Sequence, residues 1–215
     1  MKKNIGILIV LLFTGSVSAT AVELSGSAEM HSRLISSFSG GYYSENPTMT
    51  AGFTVTKGLS FSGFFSADLK DSQSFANLQE FIVSGSGKIG QTEIVGMFEV
   101  VNFSAFEGIY LYPSVNVIQP LGGGVEINFL YSYFIESIND YDWGINTSVS
   151  HIGLTKRFDN WSITARGHRS GSQTNFSSAI TRDINKNFSV TGFYHATDVR
   201  GTPTHFGGVS LGYSF

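Results

Sequence analysis

The sequence closes with the stretch GVSLGYSF, residues 208–215, whose side chains alternate in character. Val209, Leu211, Tyr213 and Phe215 fall on one face, while glycine and serine fall on the other. A period of two residues is that of a β-strand, because successive side chains point to opposite sides of the backbone. The stretch therefore predicts a strand with one apolar face and one small, polar face.

A final strand with a terminal aromatic residue resembles the C-terminal signal of bacterial outer-membrane β-barrel proteins. The resemblance implies that Val209, Leu211, Tyr213 and Phe215 form an assembly signal, which the barrel-assembly machinery reads. It also implies that the apolar face of each strand meets lipid instead of a protein core.

The first nineteen residues have the composition of a secretory signal peptide. Lys2 and Lys3 supply the positive charge, residues 5–13 are apolar, and Val17-Ser18-Ala19 fits a cleavage site. The apolar run is shorter than the roughly 20 residues of a spanning helix, which disfavours the alternative of an inner-membrane anchor. We expect residues 1–19 to be removed and residues 20–215 to form one outer-membrane β-barrel domain.

The composition disfavours a soluble helical protein. Charged residues make up 13% of the chain, about half the usual share, whereas aromatic residues make up 14% and glycine occurs 25 times. These residues suit many short strands joined by tight turns. Cysteine is absent, which excludes disulfides and thiol chemistry. The net charge of −3, without a basic block, predicts that nucleic acid is not a partner.

Alternating segments along the chain predict about twelve strands, with a range of 10–14. Since only helices and closed barrels satisfy the backbone in lipid, we expect an all-β, transmembrane, antiparallel up-and-down β-barrel. Three local features are expected to interrupt it: a turn at residues 85–88, a bulge or strand end at Pro113, and a bulge near residues 150–152. The soluble alternative is a lipocalin-like barrel or a sandwich.

The alternation also predicts which polar side chains face the lumen. A charge on the lipid face would cost roughly 2–4 kcal/mol near the midplane, so charged residues within strands are expected to point inward. The candidate pore-lining residues are Glu23, Glu29, His31, Arg33, Glu93, Glu99, Glu126, Arg166, His168 and His195. They either form an internal network that fills a narrow barrel or line a pore with mixed charge. The lumen expected for about twelve strands favours the pore.

Enzymatic motifs are weak. His168 and Ser170 form a His-x-Ser pair similar in spacing to that of outer-membrane lipid A deacylases, but Gly171 stands where those enzymes have asparagine. The spacing of Asp140, Asp142 and His205 matches no protease motif, and the five histidines have no metal-ligand spacing. The prediction is therefore a protein without catalytic residues, metal or other cofactor.

The chain resembles small bacterial outer-membrane porins of about twelve strands. It is similar to the TorF-like porin family in length, in the loop-then-proline segment at residues 45–48, and in its closing segment, residues 208–215. A second group, the oligogalacturonate and sialic-acid channels, has a strongly basic lumen, whereas this chain has only 13 lysines and arginines. The resemblance implies passive diffusion of small solutes without a cofactor.

We therefore expect a monomeric porin-like channel in the bacterial outer membrane, reached through the periplasm. Its partners would be outer-membrane lipid and lipopolysaccharide, the barrel-assembly machinery, and small solutes. The alternatives are a non-conducting structural or surface-recognition barrel, and a lipid A-modifying enzyme.

Overall fold

A computed structural model describes residues 22–32, 34–35, 42–44, 46–69, 78–103, 108–133, 148–170, 173–199 and 202–215. Within these ranges the chain forms fourteen β-strands. They are β1 (Glu23–His31), β2 (Leu34–Ile35), β3 (Tyr42–Ser44), β4 (Thr48–Lys57), β5 (Leu59–Asp68), β6 (Leu78–Ile89), β7 (Thr92–Phe103), β8 (Gly108–Gly122), β9 (Val125–Tyr133), β10 (Ser148–Arg157), β11 (Trp161–Ser170), β12 (Gln173–Asp183), β13 (Phe188–Val199) and β14 (Thr202–Ser214). In the described ranges, no helix is both long enough and apolar enough to cross a bilayer.

Twelve of these strands close into a barrel. Strands β4 to β14 pair with their neighbours in chain order, and β1 closes the circle by pairing with both β4 and β14. Every pair in the barrel is antiparallel, and β2 and β3 form a separate two-stranded ribbon. The predicted all-β, up-and-down barrel of about twelve strands is confirmed. The predicted signal peptide, residues 1–19, lies outside the described residues.

The strands are strongly tilted against the barrel axis. Following the hydrogen-bond ladder once around the barrel leads back to β1 about 16 residues away from the starting position. For twelve strands spaced about 4.8 Å apart, this stagger gives a tilt of about 43° and a backbone diameter of roughly 25 Å. A residue's level in the barrel therefore depends on its strand as well as on its place within that strand.

Five short connections between described strands lie at one end of the barrel, which we call the turn end. It carries the connections at residues 58, 90–91, 123–124, 158–160 and 184–187. Gly58, Gly90 and Gly124 have positive φ, which glycine adopts without steric cost. The turn predicted at residues 85–88 is wrong, because β6 continues to Ile89 and the chain reverses at Gly90-Gln91.

Two predicted strand irregularities are also wrong. β8 runs through Pro113, which pairs with Phe98 on β7 without a register shift. The irregularity in this strand lies instead between Pro120 and Gly122, beside the turn. β10 pairs with both neighbours without a shift near residues 150–152.

The two faces of the barrel differ as the alternation predicts. Large apolar side chains are exposed on the outer face, where Met30 pairs with both Met49 and Leu211. Further outward residues are Leu24, Phe61, Val83, Phe129, Ile152, Leu154, Ile163, Phe176, Ile180, Val209 and Tyr213. The buried side chains are mostly polar and lie on the inner face. The apolar surface thus faces outward and the polar surface inward, the reverse of a soluble protein.

Candidate functional site

Buried polar side chains form a continuous belt around the inside of the barrel. Around the barrel the strands are staggered by about four residues for every three strands. Residues at different positions within their own strands can therefore lie at the same height along the barrel axis. The buried members are Thr48, Thr50, Ser66, Glu80, Glu99, Ser114, Ser132, His151, His168, Asn175, His195 and Ser210. Arg166, which is partly buried, lies among them on the inner face. Once this stagger is taken into account, the positions of these residues along the strands differ by no more than about four residues. We call this set the polar belt.

One side of the polar belt is acidic. Glu80 on β6 is 8% exposed and Glu99 on β7 is 2% exposed. Glu80 pairs with Val101 and Glu99 pairs with Ile82, so the two carboxylates are diagonal neighbours on the inner face. Within the described part of the chain, neither carboxylate has a hydrogen-bond or ion-pair partner. The acidic side is thus a pair of unpaired carboxylates set among aliphatic side chains.

The side formed by β10 to β13 is basic and imidazole-rich. His151 and His168 are paired across β10 and β11, with ring centroids 5.3 Å apart and planes at 76°. The Nε2 atom of each ring has a hydrogen-bond partner. His151 Nε2 lies 3.3 Å from Asn128 Nδ2, and His168 Nε2 lies 3.3 Å from Ser177 Oγ. The Nδ1 atoms of both rings are buried without a hydrogen-bond partner among the described residues.

Arg166 supplies the fixed positive charge of this side. It pairs with Gly153 on β10 and with Ser177 on β12, and Ser177 in turn pairs with His195 on β13. A Cβ at Gly153 would lie 3.2 Å from Arg166 Cγ and would overlap Asn128 Oδ1, so glycine leaves room for the arginine stem. Arg166 Nε is buried without a partner, and no described carboxylate forms an ion pair with its guanidinium.

The acidic and basic sides face each other across the lumen. In the closed strand order, Arg166 on β11 lies five strands from Glu80 on β6 and four strands from Glu99 on β7, where half of the circumference is six strands. The arc between them through β8 and β9 carries Ser114 and Ser132, whose hydroxyl oxygens are 2.7 Å apart. The other arc carries His31, whose Nε2 lies 3.1 Å from Thr50 Oγ1. Two charged sides are therefore separated by arcs rich in hydroxyl groups.

The sequence-predicted lumen residues divide into two levels. Four of the ten lie in the polar belt, namely Glu99, Arg166, His168 and His195. Glu29 and His31 lie at the height of the belt or slightly closer to the turn end, and Glu29 Oε2 is 3.4 Å from His31 Nε2. Toward the turn end, also on the inner face, lie Glu23, Glu93 and Glu126. Arg33 lies outside the described residues. That any of these residues lines a conducting pore stays a prediction.

Sequence reasoning missed Glu80 and His151. The alternation of Phe81 and Val83 on the outer face would have placed Glu80 inside, but Ile82 shares its face and obscures the pattern. His151 falls in the segment for which a bulge was expected. The outward pair Ile152 and Leu154 is the signal that could have placed it.

The motifs considered for chemistry are placed as follows. His168 of the His-x-Ser pair contacts Ser177 on the neighbouring strand, and the side chain of Ser170 lies outside the described residues. Among the residues that the structure describes, no group of three or more histidines or carboxylates is arranged to hold a metal ion.

The proposed assembly signal lies on the outer face at the closing strand. Val209, Leu211, Tyr213 and Phe215 are 40–67% exposed there, and the ring of Tyr213 packs 4.8 Å from that of Phe188. Recognition of this segment by an assembly machinery stays a prediction.

Comparison with known proteins gives a structural likeness only. No family model matches the chain. A search of curated proteins finds no significant match. Among solved structures, the KdgM porin superposes with a TM-score of 0.63 at 11% identity, over 91% of this chain and 99% of that one. The KdgM porin in complex with disordered oligogalacturonate gives 0.63 at 12% identity over the same shares.

A second porin shares the architecture. The NanC porin superposes with a TM-score of 0.58 at 11% identity, over 90% of this chain and 99% of its own. At these identities the likeness establishes the fold, a closed porin-type barrel covering nearly the whole of each relative. It does not extend to the TorF-like family.

Proposed function

We propose that this chain is an outer-membrane porin-like channel through which small hydrophilic solutes diffuse passively. The observation that carries the proposal is the combination of an apolar outer face with a polar belt whose charges are partly unpaired. In a closed barrel with these two faces, the outer face contacts lipid hydrocarbon and the inner face contacts water.

The unpaired charges favour an open lumen over a filled one. A barrel plugged by its own side chains needs those side chains to satisfy one another, because a buried and unpaired charge is costly. Glu80, Glu99 and Arg166 have no partners among the described residues, so water or a solute is the natural partner. This argues against the alternative of a non-conducting structural or surface-recognition barrel.

The barrel dimensions set an upper limit on the bore. With a backbone diameter of roughly 25 Å and side chains reaching about 5–6 Å from each wall, side-chain tips on opposite walls lie about 13 Å apart. Glu80 and Glu99 are 8% and 2% exposed, so other side chains cover them and the bore at the belt is narrower than this distance. It is also narrower than the bore of a barrel of 16–18 strands, so we expect only small solutes to pass.

The cellular setting belongs to the same proposal. The signal-peptide composition of residues 1–19 supports export, and the exposed aromatic end of β14 supports delivery by the barrel-assembly machinery. The monomer would then sit among outer-membrane lipid and lipopolysaccharide, without cofactor or enzymatic activity. The closing segment and residues 45–48 support a place among the TorF-like porins.

Planar-bilayer recording of the refolded protein tests the channel. We expect stepwise conductance and, because carboxylates in the belt attract cations, a fall in cation preference in Glu99→Gln. Asp159→Asn is the control, since it also removes one carboxylate but from the exposed turn at residues 158–160, outside the predicted pore lining. A protein that folds and inserts yet stays electrically silent would contradict the proposal.

A further inference from the structure

The opposed charges of the polar belt define a solute with two charged ends. We infer that the belt selects short zwitterionic peptides, binding the terminal carboxylate beside Arg166 and the terminal ammonium beside Glu80 and Glu99. The inference rests on the proposed channel function and names its substrate class. A solute of equal size with a single charge would interact with one charged side of the belt, and a neutral solute would interact with neither.

The basic side fits a carboxylate. A guanidinium offers donors in a planar fork that matches the two oxygens of a carboxylate, and the Arg166 guanidinium has no described partner that would compete. His151 and His168 lie directly beside it, and each has a buried Nδ1 without a partner. A neutral imidazole with hydrogen on that nitrogen would donate to the same carboxylate.

The acidic side fits a primary ammonium. Two carboxylates on adjacent strands present acceptors from more than one direction, and an ammonium carries three donors to use them. Val101, which is 3% exposed, and Ile82 flank the carboxylates, so this part of the wall has few other polar groups to solvate them. Desolvated carboxylates interact more strongly with a cation than exposed ones do.

The separation of the two sides sets the length of the solute. Because Arg166 lies four strands from Glu99 and five from Glu80, their charged tips are about 12–13 Å apart. An extended chain covers at most about 3.3–3.6 Å per residue. A peptide of two residues is too short to contact both charged sides, whereas a peptide of three or four residues can contact both at once.

Proteoliposome swelling with trialanine tests the inference. Trialanine with free ends is compared with the same peptide acetylated and amidated, with each singly blocked form, and with a neutral sugar. We expect the free peptide to enter at least about threefold faster than the doubly blocked one. Arg166→Gln, and separately Glu80→Gln combined with Glu99→Gln, should bring that ratio close to one while sugar entry is retained.

Asp159→Asn serves as the control, because it removes an exposed carboxylate from the turn at residues 158–160 and should leave the ratio unchanged. Each variant is first checked for heat-modifiable gel mobility, so that a folding defect is separated from a change in selectivity. Entry of sugar with equal rates for all four peptides would overturn the inference and leave the channel intact. So would a zwitterion preference that survives Arg166→Gln, because the belt would not be its source. Failure of every solute to enter would overturn the channel itself.

Discussion

Gly26 and Phe215 close the barrel together. The backbone N–H of Gly26 donates to the carbonyl of Phe215 at 3.1 Å, and the N–H of Phe215 donates to the carbonyl of Gly26 at 3.0 Å. The ring of Phe215 lies against Gly26, where an added Cβ would come within 2.8 Å of Cε1. Since the ladder between β1 and β14 runs only from Ser27 to His31, this exchange extends the seam by two further bonds.

A larger side chain at position 26 should therefore weaken closure. We expect Gly26→Val to displace the terminal ring and to lower the free energy of unfolding by about 1–3 kcal/mol, the usual cost of overpacking. The measurement is the temperature at which the folded band is lost on a semi-native gel, together with urea unfolding in lipid.

Gly192→Val is the matched control for the seam. Gly192 is also an outward glycine in a barrel strand, but a Cβ there would meet nothing within 4 Å. Equal stability of the two variants would contradict the role given to Phe215.

The orientation of strands such as β4 could be predicted from sequence because alternation is a local signal. The pattern that separates Met49, Phe53 and Val55 from Thr50 and Thr54 is complete within one strand. The barrel's outer solvent makes that pattern unusually strict, since a charge facing lipid is costly.

Pro113 shows where local reasoning fails. Proline removes one ladder bond, which predicts a bulge or strand end. In the described residues, however, β8 pairs with β9 only from Ser114 onward, so Pro113 lies at the edge of that ladder. Pairing with β7 is continuous on both sides of Pro113, so the strand continues without a bulge.

The polar belt could not be predicted as a set. Its level depends on the stagger accumulated around all twelve strands, and no single strand records that stagger. Glu99 and Glu93 look equivalent in sequence, being inward carboxylates on one strand, yet only Glu99 lies in the belt. Charge opposition across the lumen is likewise a property of the closed circle.

Ser114 and Ser132 form the most buried hydroxyl pair of the belt. Ser132 is 0% and Ser114 2% exposed, and their oxygens are 2.7 Å apart. We expect Ser132→Ala to lower the free energy of unfolding by roughly 1 kcal/mol, because the partner loses its hydrogen bond in a buried site. The double variant should cost less than the sum of the single variants, and a double-mutant cycle measures the difference.

The pair Thr54 and Ser62, 2.9 Å apart and only partly buried, provides the comparison. Water can replace that hydrogen bond, so its coupling energy should be smaller. Equal coupling at the two sites would mean that the belt around Ser114 is as wet as the rest of the lumen.

Gly153 leaves room for Asn128 and for the stem of Arg166, and this link between packing and charge can be tested without removing any charge. Gly153→Ala places a methyl group that overlaps Asn128 Oδ1 and presses on Arg166 Cγ, so the contact between Asn128 and His151 must loosen and the arginine stem must shift. We expect a measurable shift in reversal potential under a salt gradient, together with a loss of stability of about 1–3 kcal/mol.

Gly167→Ala on the adjacent strand is the control for Gly153→Ala. It faces outward and its Cβ would approach only Ile152, at 3.9 Å, so the reversal potential should stay at the wild-type value. A shift in both variants would assign the effect to strand packing in general. A shift in Gly153→Ala alone would mean that the packing of Arg166, Asn128 and His151, and not merely the presence of the arginine charge, sets the ion preference. That outcome follows from the steep dependence of electrostatic attraction on distance in a partly desolvated lumen.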